Sequence, residues 1–198
     1  MNQKIIHLAT LTLIGFPMIG WVINWLAGGP PFRELFFIQA PLLQQLSIGI
    51  ATGIVSGWLA WVIIQSKAMQ AVRQKYAGII RQFNLSPLQI LYISLCAGIG
   101  EEILFRGVIQ PYLGIWYTAI LFVAIHGYLN PFDRKLFLYG VYMTLVIAVI
   151  GYLTNRFGLY TAMAAHAVID VILLYKMSKM EVHETIEREN TFTEENGH

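Results

Sequence analysis

Long apolar runs recur along the whole of this 198-residue chain and restrict it to one kind of fold. Each run is long enough to cross the hydrocarbon core of a bilayer as an α-helix. Inside a bilayer the backbone must satisfy its own hydrogen bonds, and a helix does so within one segment. We therefore predict an all-α bundle of about six transmembrane helices, over about residues 5–27, 42–65, 88–110, 112–129, 136–153 and 159–175.

The composition agrees with a membrane protein. Hydrophobic residues make up 57% of the chain, and charged residues make up 12%. A soluble domain has about 25% charged residues, so this chain is depleted by half. Cys96 is the only cysteine, which excludes an intramolecular disulfide and a cysteine-based metal cluster. We expect the lipid bilayer as a partner and no nucleic acid; the oligomeric state is not specified by the sequence.

The basic residues predict the orientation of the bundle. If the N-terminus is inside, ten of the thirteen Lys and Arg residues face the cytoplasm, and the positive-inside rule then predicts that both termini are cytoplasmic. These ten are Lys4, Lys67, Arg73, Lys75, Arg81, Arg134, Lys135, Lys176, Lys179 and Arg188. The size and class of the chain favour a multi-pass protein of a prokaryotic plasma (inner) membrane.

Three regions follow from these patterns. Residues 1–87 contain two spans and a basic segment, 66–87, in which apolar residues recur at helical spacing. That segment is expected to form an amphipathic helix on the membrane surface. Residues 88–175 form a core of four membrane helices. Residues 176–198 form a polar, acidic tail that is expected to be disordered.

The third predicted span carries two carboxylates and a guanidinium, where each charge costs about 2.5–3.5 kcal/mol at the bilayer centre. Glu102 and Arg106 are four residues apart on one helix face, so we predict a structural ion pair between them. Glu101 is turned away by about 100°, onto a face with the small residues Ser94 and Gly98. Glu101 is therefore predicted to have no ion-pair partner, and it is the candidate for chemistry.

Three further ionisable groups lie within predicted spans. Phe122 and His126 share a face of the fourth span, and His166 and Asp170 share a face of the sixth. From the helix rise, His126 lies ~6 Å from the cytoplasmic end, Asp170 ~8 Å, His166 ~14 Å and Glu101 ~20 Å. Sequence defines span ends only to within about two to four residues, so we expect that all four can meet in the cytoplasmic half of the bundle. Each motif alone also fits a structural role: His126 as an interfacial histidine, and His166–Asp170 as a helix-stabilising pair.

Together the three motifs resemble those of the CPBP family of intramembrane proteases, which includes the CAAX prenyl endopeptidases and bacteriocin-processing enzymes. The family pattern is E-E-x-x-x-R, then F-x-x-x-H, then H-x-x-x-N or D, on successive helices. The resemblance covers about residues 88–175. It implies that a water activated by a glutamate hydrolyses a peptide bond of a membrane-associated protein or peptide, without a cofactor, in a cavity open to the cytosol.

The resemblance also implies a role for each residue. Glu101 would be the general base, and His126 would help to hold the water. His166 and Asp170 would stabilise the oxyanion, while the Glu102–Arg106 pair would hold the architecture. An amide at position 170 could donate a hydrogen bond to the oxyanion, whereas an ionised aspartate would repel it. Asp170 must therefore be protonated, orient His166 or bind a metal.

Other functions remain open at this point. Two histidines and two carboxylates suffice for a catalytic zinc ion, although the chain lacks the His-Glu-x-x-His helix of the common zinc proteases. Buried acids and histidines also form proton relays and ion sites in transporters, but the chain shows no inverted repeat. A third alternative is a non-catalytic relative that acts as a scaffold or an immunity protein.

Overall fold

The computed structural model describes residues 2–36 and 40–180, and these residues form helices joined by short loops. The predicted all-α class is confirmed, with no strand in the described part of the chain. The predicted tail lies outside the described residues from position 181 onward. The helices are α1 Asn2–Leu26, α2 Leu42–Gln65, α3 Gln70–Gln82, α4 Pro87–Glu102, α5 Gln110–Ile125, α6 Arg134–Phe157 and α7 Leu159–Ser178, with a π-helix at Ile103–Ile109 between α4 and α5.

Within the described residues, five continuous helical runs are long and apolar enough to cross a membrane. One of them, Pro87–Ile125, is a hairpin, which accounts for the difference from the six predicted spans. A straight helix from residue 101 to residue 126 would be about 37 Å long. The Glu101 and His126 side chains nevertheless lie 3.4 Å apart, so the chain reverses between them.

The reversal occurs at Gly114, whereas the sequence predicted that the third span stops at Pro111. Gly114 has φ 75° and ψ 170°, a conformation that side chains rarely allow. Pro111 lies in the first turn of α5, where its missing N–H has no helical partner in any case. The prediction was wrong because a proline in a first turn does not interrupt a helix.

The fourth span is shorter than predicted. The helix ends at Ile125 rather than near residue 129, so the part after Gly114 is only about 16 Å long. Residues 126–133 continue without helical structure. The backbone carbonyl of Tyr128 lies against Gly140. Gly140 is about 9 Å along α6 from the first residue of that helix. Non-helical backbone at this depth is tolerated where it lines a cavity or protein, and this loop lines the cavity described below.

Small residues allow α7 to lie close to two other helices. Gly49, Gly53 and Gly57 of α2 face α7, and a Cβ at Gly53 would meet the carbonyl of Ala165 at 2.6 Å. Gly98 of α4 faces α7 in the same way, with its Cβ position 2.9 Å from the carbonyl of Met163. The predicted small-residue face beside Glu101 is therefore the surface that brings α4 against α7.

The basic segment forms a helix, as its apolar spacing predicted. After one 3₁₀ turn, Lys67–Met69, it continues as α3. Ala77 is buried against the bundle, while Lys75 is exposed. Several apolar side chains of this segment line the cavity of the candidate site, so α3 forms one of its walls.

Candidate active site

The four predicted catalytic residues all line one cavity of about 310 Å³. Glu101 comes from α4, His126 from the end of α5, and His166 and Asp170 from α7. The remaining wall is mostly aliphatic and aromatic. The structure therefore brings together the residues that the three motifs predicted to meet, although no two of these motifs are on the same helix.

Glu101 is not isolated, which corrects the prediction that it has no ion-pair partner. Its Oε2 lies 3.4 Å from Nε2 of His126. The Glu101 side chain is 12% exposed, and the His126 side chain is 32% exposed. The prediction failed because the depth of His126 was counted from a helix end that lies four residues too far along the chain. The turn at Gly114, 13 residues after Glu101 and 12 before His126, places the two side chains at the same level.

His126 is held in a defined orientation. Its Nδ1 donates to the backbone carbonyl of Phe122 at 2.7 Å, because a carbonyl can only accept. Its ring stacks on Phe122, with ring centroids 4.5 Å apart. Nε2 is therefore the nitrogen left for Glu101. A carboxylate and an unprotonated ring nitrogen both accept, so a hydrogen bond between Glu101 and His126 requires a proton on one of the two.

The predicted Glu102–Arg106 pair is present and lies behind the cavity wall. Glu102 Oε2 is 3.3 Å from Nε of Arg106, and neither residue lines the catalytic cavity. Glu102 is fully buried, and Arg106 is 3% exposed. The Phe122 ring lies 5.0 Å from the guanidinium carbon and adds a cation–π contact. The π-helix begins directly after Glu102, and such segments often occur at functional sites.

His166 has a partner that sequence spacing could not reveal. Its Nδ1 lies 2.8 Å from Oε1 of Glu102, across the α4–α7 contact. Glu102 thus binds Arg106 with one oxygen and His166 with the other. Since Arg106 keeps Glu102 ionised, Nδ1 of His166 is the donor of this hydrogen bond. The ion pair predicted as purely architectural therefore also orients a cavity residue.

Asp170 lies on the other side of the same imidazole ring. Its Oδ2 is 3.6 Å from Nε2 of His166, and its side chain is 29% exposed. Of the three possibilities left open for Asp170, this contact favours the one in which it orients His166. Glu102 and Asp170 hold the two ring nitrogens from opposite sides, so the ring has little freedom to rotate.

Four cavity residues were missed as site residues by the sequence reasoning. Arg73 and Tyr76 come from the basic segment, Tyr128 from the loop after α5, and Tyr139 from α6. The Tyr128 ring lies 6.2 Å from the His126 ring and 5.5 Å from the Tyr139 ring. No spacing rule links the tyrosines to the three motifs. Only the early end of α5 would have placed Tyr128 here.

The zinc alternative requires several acid or histidine side chains around one point. Among the described residues, no group of three or more His, Cys, Asp and Glu side chains is arranged to hold a metal ion. The acid and histidine groups pair across the helices, Glu101 with His126 and Glu102 with His166, and His166 also lies 3.6 Å from Asp170.

The fold and the site define a class: an integral membrane protein with an acid–histidine site between its helices. Residues 83–172 match the family model described as type II CAAX prenyl endopeptidase, Rce1-like. The predicted resemblance is thereby confirmed, since residues 83–172 are similar to this family. That region contains all four candidate catalytic residues together with Glu102 and Arg106.

A curated relative matches part of the chain. The chain is 32% identical over 85 residues to the uncharacterised protein YpbD of Bacillus subtilis. The match covers 42% of this chain and 42% of the relative. No solved structure matches the chain.

Proposed function

We propose that this protein is an intramembrane endopeptidase that hydrolyses a peptide bond of a membrane-associated protein or peptide with a water activated by Glu101. The observation that carries the proposal is the Glu101–His126 contact at 3.4 Å, in the wall of a cavity that His166 and Asp170 also line. The match of residues 83–172 to a family of prenyl-protein endopeptidases supports the same reaction class.

The proposed reaction begins with Glu101 ionised and with Nε2 of His126 3.4 Å from its Oε2. Glu101 accepts a proton from water as the water oxygen bonds to the scissile carbonyl carbon. The C=O electron pair moves onto the carbonyl oxygen, which becomes an oxyanion. His126, fixed through Nδ1 on the Phe122 carbonyl, keeps Nε2 directed at Glu101 throughout. The C–N bond then breaks, and the proton passes from this pair to the leaving nitrogen.

His166 is the proposed stabiliser of the oxyanion. Its ring lies between two carboxylates, Glu102 at 2.8 Å and Asp170 at 3.6 Å, which together favour the doubly protonated ring. A positive imidazolium at the cavity wall attracts the negative charge that develops on the carbonyl oxygen. In this role Asp170 orients His166 and does not itself contact the oxyanion.

The cavity favours an apolar stretch of substrate. Aliphatic side chains line most of it, among them Ile64, Met69, Ile80, Ile147 and Leu173. A volume of about 310 Å³ accommodates a few residues rather than a folded domain. The substrate is therefore proposed to be an extended segment held at the bilayer, and the basic α3 helix would lie against anionic lipid beside it.

The proposed function predicts new peptide termini in the membrane. Membranes from cells that contain the wild-type protein are compared with membranes that contain equal amounts of Glu101→Gln, and all peptide termini are identified by mass spectrometry. Termini that appear only with the wild type are expected, each preceded or followed by an apolar stretch. Identical sets of termini would contradict the peptidase assignment.

Cleavage is proposed to occur near the cytoplasmic face of the plasma membrane, because the loop charges place both the α3 segment and the loop after α5 there. Phe132 in that loop is 96% exposed, and the one native cysteine, Cys96, is buried. Phe132→Cys should react with a membrane-impermeant thiol reagent in inside-out vesicles and not in right-side-out vesicles. The opposite pattern would invert the proposed topology.

A further inference from the structure

A second cavity lies at the other end of the bundle, and the proposed peptidase does not use it. It has a volume of about 220 Å³. The catalytic cavity is lined by the first half of α6, at Leu136 and Tyr139, whereas the second cavity is lined by the last turns of α6, at Thr154 and Asn155. Arg106 lines the second cavity and does not line the first.

Arg106 presents unused hydrogen-bond donors at this cavity. Its Nε lies 3.3 Å from Oε2 of Glu102, but none of its three nitrogens, Nε, Nη1 and Nη2, has a hydrogen-bond partner among the described residues. The residue is 3% exposed, so these N–H groups are removed from bulk water. A buried donor without an acceptor is costly, and more so when it is charged. The guanidinium therefore needs an acceptor from the cavity side.

Asn155, which also lines this cavity, is held in place by Gln110 and offers a further donor. Gln110 donates from Nε2 to the Gly151 carbonyl at 3.1 Å and to Oδ1 of Asn155 at 2.8 Å. Asn155 also carries an NH₂ group, which only donates, and it lines the cavity. Arg106 and Asn155 thus both bring donors to the lining of the cavity.

Glu34 is the one carboxylate among the described side chains that line this cavity, and it does not neutralise Arg106. Glu34 is exposed at the rim and forms no ion pair with Arg106. Its charge disfavours an anion, so it limits affinity rather than supplying the missing acceptor. Because Glu34 and Asn155 are both exposed, the cavity is open to the outside at this end.

We propose that this second cavity binds a small oxyanion, a carboxylate or a phosphate, on the terminal nitrogens of Arg106. A guanidinium fork matches the two oxygens of such a group. The oxyanion is either free in solution or carried by a lipid headgroup. Because Glu102 binds both Arg106 and His166, an anion at Arg106 also weakens the hold of Arg106 on Glu102 and is coupled to the catalytic cavity.

The test uses the full chain, purified in a non-ionic detergent, with thermal unfolding as the readout. Sodium phosphate and sodium acetate are titrated at an ionic strength held constant with sodium chloride. A saturable rise in Tm with either salt shows that a free oxyanion binds. If only phosphatidylglycerol raises Tm, with phosphatidylcholine as the matched lipid, the headgroup is the source. No rise with any of these additives would overturn the proposal.

Two variants locate the binding. Glu34→Gln removes the repelling charge at the rim and should lower the Kd several-fold. Asn155→Asp places an oxyanion beside Arg106 permanently, so it should raise Tm without additive and abolish the response to the additives. Gln44→Glu is the matched control, because Gln44 is exposed at the same end of the bundle and lines neither cavity. If Asn155→Asp behaved like Gln44→Glu, the site would not be at Arg106.

Discussion

Glu101 and Glu102 are neighbours in sequence and lie in two different regions of the molecule. Glu101 faces the catalytic cavity and contacts the partly exposed His126. Glu102 is fully buried and is fixed by Arg106 and His166. One helix step of about 100° separates the two. The comparison teaches that two adjacent acids can have different roles: Glu101 is placed to exchange a proton in the cavity, whereas Glu102 carries a buried charge that is held in place.

The two regions are connected through His166. This residue lines the cavity beside Glu101, yet it is bonded to Glu102 on its buried side. Changes at Glu102 should therefore reach the cavity, whereas changes at Glu101 should not reach the buried pair. The following predictions test this asymmetry.

The largest effect on stability is expected for Glu102→Gln. The change leaves Arg106 as an uncompensated buried cation and weakens the bond to His166, so the free energy of unfolding should fall by about 3–5 kcal/mol. Thermal unfolding and the yield of folded protein in detergent measure this. Asp133→Asn is the control, because Asp133 caps α6 and asparagine caps equally well. A Glu102→Gln protein as stable as that control would show that the buried pair is not needed.

Substitutions of Asp170 test how the imidazole ring of His166, which joins the two regions, is held in place. If Asp170 orients His166, Asp170→Asn keeps an oxygen that can accept from Nε2, and peptide cleavage should stay within about tenfold of wild type. Asp170→Ala removes that oxygen and should lower cleavage by about 10²-fold, as expected for a misplaced catalytic group. Equal losses in the two variants would mean that the charge, and not the contact, is required.

The turn at Gly114 brings His126 back to Glu101, so the contact between these two residues in the cavity wall depends on it. Gly114→Ala forces a side chain into a conformation with φ 75°, which should cost about 1–3 kcal/mol. Gly78→Ala in α3 is the matched control, since nothing lies within 4 Å of its Cβ position. That control should stabilise the protein by about 0.5–1 kcal/mol. Equal Tm values for the two variants would contradict the assigned turn.

Chelation should have the smallest effect. With a water activated by Glu101, cleavage should be unchanged after prolonged dialysis against a strong chelator. Elemental analysis of the same sample measures bound zinc. Loss of cleavage on chelation, with recovery on adding zinc, would establish the metal alternative and give Glu101 and His126 a different role.

Much of the fold could be predicted because apolar length and periodicity depend on local sequence. The bounds of α2, Leu42–Gln65, coincide with the predicted span. The Glu102–Arg106 pair followed from helix spacing alone. The prediction was wrong at Pro111, where a first-turn proline was taken for a helix end, and at Ile125, where the helix stops inside an apolar run.

The contacts between helices could not be predicted in the same way. His126 with Glu101 and His166 with Glu102 join residues on different helices, and their heights depend on where each helix starts and bends. An error of four residues in one helix end moves a side chain by about 6 Å, which is enough to make or break such a contact. The motifs could therefore identify the site residues but could not pair them.

The most direct test of the division between the two acids is to measure cleavage and thermal unfolding on the same preparations of wild type, Glu101→Gln and Glu102→Gln. Glu101→Gln should lose cleavage by at least about 10²-fold while its Tm stays close to that of the wild type. Glu102→Gln should show a large fall in Tm, and any folded fraction should also cleave poorly because His166 has lost a partner. If Glu101→Gln retained cleavage, Glu101 would not be the general base. If the two variants lost the same amount of stability, the division of roles between the two acids would be wrong.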